Sequence, residues 1–244
     1  MLAIDDYHWW FAGRRAVLQA VLPPVRQGRV LDAGCGSGRT LDMLRPWGRL
    51  SGIDLDPDAV AAARSRGHDD IRHCPIENLP WPDGTFELIT CLDVIEHTHD
   101  DLRALTALKR VLTPDGVIIA TVPAYEALWS HHDDTHQHRR RYRRSSLSRV
   151  ARLAGLEVER TTYFNSTLLG PIAAVRLLQR VFHSRPPTHT DYDLTPQILN
   201  RFLAQIMRAE AQVVESGHRL PFGVSLLAVL KHADQVNPPA HVPS

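Results

Sequence analysis

Hydrophobic positions along the chain switch between two periods. Helical spacing in "RRAVLQAVLPP" (14–24) gives way to a strand-type run in "GRVLDAG" (28–34), followed by a helix-like "RTLDMLRPW" (39–47) and a second strand-like segment "RLSGIDLD" (49–56). "PDAVAAARSRG" (57–67) reads as an alanine-rich helix opened by a proline in its first turn. The alternation continues through a weak strand "DDIRHCP" (69–75) and a strong one "FELITCLDVIEH" (86–97). A helix "DDLRALTALKRVLTPDG" (100–116), stopped by Pro-Asp-Gly, then leads into the β-branched run "GVIIATVPA" (116–124). Alternation of this kind predicts an α/β fold, a doubly wound and mostly parallel sheet with helices on both faces.

The second half is less regular. A histidine- and arginine-rich segment at 130–144 precedes a helix-like "SSLSRVARLAG" (145–155) and a strand-like "LEVERTTYF" (156–164). Next come an apolar stretch "LLGPIAAVRLLQRVF" (168–182), a Pro/Thr-rich break at 184–196 and a long helical run from Gln197 to Glu215. "LPFGVSLLAVLKH" (220–232) reads as a last strand. The expected organisation is an N-terminal helical cap at 1–27, a core at 28–160 that includes a lid at 130–144, a helical cap insertion at 161–218, the final core strand at 219–232, and a disordered tail at 233–244.

Composition narrows the partners. Lys plus Arg number 28 against 27 Asp plus Glu, so the net charge of +1 gives no global attraction to nucleic acid or to a membrane surface. The three cysteines are too few and too scattered for a disulfide framework or a C-x-x-C metal site, which fits a reducing compartment and predicts a cytoplasmic protein. The N-terminal stretch carries acids before its aromatics and reads as neither a secretory signal nor a transmembrane helix. The 168–182 run is broken by Gly170, Pro171, Arg176 and Arg180, so it fits a cap over a greasy substrate or a dimer surface better than a membrane span. A monomer or homodimer is expected.

The chemistry concentrates in "VLDAGCGSGRT" (30–40). Glycines just after a first parallel strand let a ligand approach the backbone, and the helix that follows offers free N–H groups. The spacing is D-x-G-x-G-x-G over Asp32, Gly34, Gly36 and Gly38, and Arg39 stands where a dinucleotide fingerprint wants its third glycine. Asp32 would disfavour a pyrophosphate and attract a ligand bearing an ammonium and a sulfonium, as S-adenosylmethionine does. Asp54, where the second strand should end, can accept hydrogen bonds from both ribose hydroxyls, a feature shared with the NAD(P) reading.

"VLDAGCGSG", "GIDLDPDAV", "IENLPWPDGTFELITCLDVIEH" and "LKRVLTPDGVIIATVP" together resemble, in order and spacing over residues 28–123, the class I S-adenosylmethionine-dependent methyltransferases. The resemblance implies a Rossmann-like, seven-stranded sheet and S-adenosyl-L-methionine as cofactor, with S-adenosyl-L-homocysteine as product. It assigns Asp32, Gly34, Gly36 and Gly38 to the methionine moiety, Asp54 to the ribose and Leu55 to adenine packing. Many relatives carry an acid after the third strand to hold the adenine amino group, but Pro75 stands there, leaving the backbone near Ile76, Glu77 or apolar stacking for that contact. The opening "HWWF..RR", the middle "VPAYEALWSHHDDTHQHRRRY" and the closing "LPFGVSLLAVLK" resemble a narrower bacterial branch, in which His132, Asp133, His138, Arg140, Arg141 and Tyr142 fall on recurrent positions.

Methyl transfer to a hydroxyl or ammonium needs alignment and a base. "LDVIEH" places Asp93, Glu96 and His97 after the fourth strand. His97 is the preferred base by intrinsic pKa, its alternative being a cap on the next helix, and His138 is paired with it as a second catalytic candidate. Asp93 is also placed at the cofactor. Carboxylates with an imidazole can hold a divalent ion, yet no metal is assigned. Segment 130–144 fits a lid, or else a solvated loop, with His132, Arg141 and Tyr142 facing the acceptor. Trp9, Trp10 and Phe11 are core aromatics or walls of the cofactor site, with Arg14 then meeting the cofactor's carboxylate. The expected activity is methylation of an O or N atom on a small-molecule, glycan-precursor or lipid-like acceptor. The alternatives are a nicotinamide oxidoreductase and a non-catalytic binding module.

Overall fold

The computed structural model describes residues 8–25, 27–181 and 196–233. The proline- and threonine-rich break up to Thr195 and the tail from Asp234 lie outside these residues. Seven strands form one sheet: β1 (Gly28–Ala33), β2 (Gly48–Asp54), β3 (Ile71–His73), β4 (Phe86–Leu92), β5 (Leu112–Pro123), β6 (Leu156–Phe164) and β7 (Ser225–His232). Their order is β3-β2-β1-β4-β5-β7-β6. Pairing is parallel from β3 through β5, and β7 lies antiparallel between β5 and β6.

Eight helices flank the sheet among the described residues: α1 (Trp9–Gln19), α2 (Arg39–Leu44), α3 (Pro57–Ser65), α4 (Asp101–Val111), α5 (His131–Thr135), α6 (Arg144–Leu153), α7 (Leu169–Val181) and α8 (Gln197–Glu215). Local chemistry sets their ends. Asp56 caps α3 by accepting from the Asp58 amide at 2.9 Å ahead of Pro57, and Asp100 caps α4 by accepting from the Arg103 amide at 2.9 Å. Helix α4 buries Ala104, Leu105, Ala107, Leu108 and Val111, a stripe of helical period that lies on one face of the sheet. The strands serve two cores in alternation. In β7, Leu226, Ala228 and Leu230 join the cluster under α4 and α6, while Leu227 and Val229 join Val17, Leu18, Met207 and Ala211 of α1 and α8.

Four expectations need correction. Helix α4 ends at Val111, before Thr-Pro-Asp-Gly, and Leu112 already pairs with Phe86; the register then shifts and resumes with Leu88 opposite Val117. Pro114 biases the residue before it towards extended backbone, so the helix stops early and the turn becomes an irregularity in β5. Strand β4 ends at Leu92, short of the whole 86–97 segment read as strand-like, because Asp93 takes a left-handed conformation at φ +57°; Asp93, Glu96 and His97 follow it as expected. The limit set at 160 falls inside β6, which runs to Phe164. Helix α8, expected in a separate cap, buries Met207 and Ala211 in the sheet's own core. Of the two readings of the 130–144 segment, the solvated loop falls away: Ser130 and Asp133 cap α5 reciprocally, and Asp133 is fully buried.

Candidate active site

The carboxyl ends of β1, β2 and β4 open into a cavity of about 810 Å³. Its walls carry Asp32, Gly34, Gly36, Asp54, Leu55, Ile76, Glu77 and Asp93. The loop after β1 has the shape its glycines permit. Gly34 sits at φ +80°, and a Cβ there would lie 2.3 Å from Val94 Cγ2. Gly36 sits at φ +52°, and a Cβ there would meet nothing within 4 Å, so this glycine keeps space open at the cavity wall. Gly38 precedes α2 at φ +84° and is not among the residues lining the cavity.

The acids are held in place. Asp32 is buried at the end of β1 and accepts from Thr90 Oγ1 at 2.6 Å. Asp54 accepts from the Gly36 amide at 2.8 Å and the Asp56 amide at 2.9 Å, one bond at each carboxylate oxygen. Each oxygen keeps a further lone pair for a diol. Leu55 leaves 66% of its surface exposed, an apolar platform beside the buried Ile76. These features fit S-adenosylmethionine: an open glycine edge, a carboxylate at the second strand end, and an uncovered leucine for a flat ring.

A second cavity of about 260 Å³ adjoins the first, and the two share Phe11, Arg14, Asp93 and His97. Its other walls include Trp9, Trp10, Glu96, His132, His138 and Arg141. Of the α1 aromatics only Phe11 reaches the larger cavity; Trp9 and Trp10 wall the smaller one rather than the cofactor-sized one, and Trp10 also stacks on Phe164 at 5.7 Å between centroids. Arg14 donates to Asp93 Oδ2 at 2.8 Å and to the Leu92 carbonyl at 3.3 Å, which bridges α1 to the end of β4 at the boundary of the two cavities.

Segment 138–142 is stitched to the loop after β4. The Arg139 amide donates to the Glu96 carbonyl at 2.9 Å, Arg139 Nε to the His97 carbonyl at 3.1 Å, and Arg140 to the Thr98 and His99 carbonyls and to Asp101. Arg139 and Arg140 are thus structural ties. Asp133 accepts from His138 Nδ1 at 2.8 Å and from Arg141 Nε and Nη2 at 2.7 and 3.0 Å. Burial works to raise the Asp133 carboxyl, but the hydrogen bonds from His138 and Arg141 overcome it and hold the group well below the usual carboxylate range.

Arg141 lines the smaller cavity, but Asp133 and the Ala124 carbonyl already take its Nε, Nη1 and Nη2 donors. Tyr142, expected to face the acceptor, lines neither cavity; it is 3% exposed and donates its hydroxyl to Asp101 at 2.8 Å, so it anchors the segment to α4. Burial, with the neighbouring His138 adding, lowers the His97 pKa, and burial holds His132 down at about 3, so both rings are neutral near pH 7.

Sequence reasoning gave Glu96 only a passing place. Its side chain is fully buried, and neither carboxylate oxygen has a hydrogen-bond partner among the described residues. Burial, reinforced by the charge of Asp93, pushes its pKa well up. The "EH" dipeptide was the available signal; its approach to His138, 42 positions on, is visible only in three dimensions.

A family model for the methyltransferase domain matches residues 11–161. A protein of Mycolicibacterium smegmatis described as a probable S-adenosylmethionine-dependent methyltransferase is 33% identical over 163 residues, 65% of this chain and 63% of that protein. A ubiquinone biosynthesis O-methyltransferase of Xanthomonas oryzae pv. oryzae is 35% identical over 127 residues, 44% of this chain and 53% of its own. The chain thus spans less than two thirds of the length of either relative. In fold, it is similar to the Burkholderia thailandensis 1,6-didemethyltoxoflavin-N1-methyltransferase, with a TM-score of 0.54 at 19% identity, covering 91% of this chain and 79% of that one. A geranyl diphosphate methyltransferase gives a TM-score of 0.59 at 17% identity, covering 90% and 85%. The glycine loop, the strand order and the family match agree: the chain belongs to the methyltransferase-domain family of class I S-adenosylmethionine-dependent methyltransferases.

Proposed function

We propose that this chain catalyses transfer of a methyl group from S-adenosylmethionine to an oxygen or nitrogen of a small-molecule, glycan-precursor or lipid-like acceptor. The observation that carries the reading is the pair of adjoining cavities, one large enough for the cofactor and one lined by aromatics and imidazoles, which meet at Asp93 and His97. Arg39 in place of a third glycine, together with the family match, favours it over a nicotinamide oxidoreductase. The three cysteines are free thiols, in keeping with a cytoplasmic setting, and no helix among the described residues is long and apolar enough to cross a membrane.

S-adenosylmethionine supplies an already activated methyl on its sulfonium. The chain's own task is to bind it along Asp32, Gly34, Gly36 and Asp54, to pack Leu55 against the base, and to wall the acceptor off with α1 and segment 130–144. With Nδ1–H donated to Asp133, His138 presents Nε2 as the lone pair available to take a proton from the acceptor, and His97 lies edge-on to it with ring centroids 4.7 Å apart. Incubation with methyl-labelled cofactor and cell extract, followed by identification of the labelled product, tests the activity. His97→Ala or His138→Ala should lower turnover about 10²-fold with little change in cofactor affinity, and Asn at 97 should not rescue. Absence of label transfer would leave a non-catalytic binding module. Wild-type turnover by both variants would make the histidines structural.

A further inference from the structure

We propose that Glu96, His97 and His138 form a binding site for a divalent first-row transition-metal ion in the wall of the acceptor cavity. One ligand atom from each residue lies within 4.8 Å of the others. Closing around an ion at roughly 2.0–2.2 Å per ligand would require movements on the order of an ångström or less, within the reach of side-chain torsions.

Three observations point the same way. Glu96 is fully buried at the cavity, with neither oxygen hydrogen-bonded among the described residues, an arrangement that is costly for a carboxylate with no other use. The His138 imidazole is oriented from behind, its Nδ1 held by Asp133 at 2.8 Å. A metal-ligating histidine characteristically has its second nitrogen engaged in this manner, which leaves the other nitrogen's lone pair for the ion. Lastly, the approach of the ligands is enforced by backbone, because Arg139 and Arg140 clamp the segment bearing His138 onto the loop bearing Glu96 and His97.

The donor set is two imidazoles and one carboxylate, which suits Zn²⁺, Fe²⁺, Co²⁺ or Mn²⁺ better than Ca²⁺ or Mg²⁺. Three protein ligands leave coordination positions open towards the cavity, where His97 keeps 39% of its side chain exposed. Asp93, the other acid of "LDVIEH", is not part of the set, since its carboxylate is taken by Arg14 at 2.8 Å. If the small cavity receives the acceptor as proposed above, the site deepens that reading and changes its base: the His138 Nε2 lone pair would go to the ion, which would instead lower the pKa of a bound acceptor hydroxyl. The favoured acceptor would then be one that offers an oxygen donor to the ion, a hydroxyl or a vicinal diol in preference to an amine.

The test is Co²⁺ titration of the chelator-treated full chain, read by visible d–d absorption, with Zn²⁺ as competitor and S-adenosylhomocysteine calorimetry as the check that each variant is folded. Saturable one-to-one Co²⁺ binding, displaced by Zn²⁺, is expected. Glu96→Gln and His138→Gln should weaken it at least about 100-fold, and Asp133→Asn roughly 10- to 100-fold. Asp93→Asn, which removes a nearby charge and the Arg14 ion pair but no ligand, should change it by no more than about 5-fold, with folding of this variant checked by circular dichroism because Asp93 also lines the cofactor cavity. The proposal is overturned if the wild-type chain shows no saturable binding. It is overturned equally if binding survives Glu96→Gln and His138→Gln, which would make it adventitious capture by the histidine-rich helix, or if Asp93→Asn alone abolishes it. None of these readouts depends on turnover, so failure of the metal site and failure of the methyltransferase reading are separable.

Discussion

Replacing Asp133 with Asn removes one negative charge from a site where the Asp133 and Arg141 side chains are 0% and 3% exposed. The carboxylate accepts from Arg141 Nε and Nη2 at 2.7 and 3.0 Å, from His138 Nδ1 at 2.8 Å and from the Ser130 amide at 2.8 Å. An asparagine oxygen could retain two of these bonds, but its NH₂ group would face donors, and the Arg141 guanidinium would be buried without its counter-ion. Breaking one side of a buried ion pair costs about 3–5 kcal/mol. For a chain of this size that corresponds to a fall in melting temperature of roughly 6–20 °C, measurable by circular dichroism. The pH dependence fixes the sign. Because the folded-state pKa of Asp133 is depressed, its contribution is complete above the unfolded pKa near 3.9 and is lost as pH falls through the folded value. The gap between wild type and variant should therefore be constant from pH 8 to about 5 and narrow below about 4. A melting temperature within about 2 °C of wild type at pH 7 would refute the claim that this pair holds the segment together.

Asp54→Ala should weaken S-adenosylmethionine binding by about 1.5–3 kcal/mol, since it removes the diol acceptor and also releases the Gly36 amide; unchanged affinity in calorimetry would sink the ribose assignment. Gly34→Ala places a Cβ against Val94 at a left-handed backbone position, with an expected loss of roughly 1–3 kcal/mol in urea unfolding, and a neutral result would show that the loop rearranges freely. Leu55→Ser should leave stability within about 0.5 kcal/mol of wild type while costing about 1–2 kcal/mol of cofactor affinity, and the reverse pattern would make Leu55 a packing residue.

What the sequence made legible was local. The D-x-G-x-G-x-G loop and the acid at the second strand end are short-range signals, because a left-handed turn and a strand terminus are dictated by neighbours, and the strand–helix alternation follows directly from hydrophobic period. Other features depended on distant partners. Nothing near Tyr142 says that its hydroxyl will find Asp101, and nothing near Arg141 says that Asp133 will consume its charge. Pro-Asp-Gly was read as the stop of α4; that the helix ends before it, with Leu112 already paired to Phe86, depends on β4. Glu96 was hidden for the opposite reason: its significance lies in the lack of a hydrogen-bonding neighbour among the described residues, which no sequence pattern encodes.

The sheet order imposes a timetable on the chain as it is made. All the residues around the larger cavity fall between Phe11 and His99, so that pocket can assemble while synthesis is still under way. The smaller one cannot, because Val224 and Ser225 form part of its wall. Strand β6, finished at Phe164, has β7 as its sole neighbour in the sheet and must wait some sixty residues for it. A nascent chain halted before residue 224 would thus display the larger cavity complete beside an unpaired β6, so that on the reading proposed above it could hold S-adenosylmethionine before the smaller cavity has its wall.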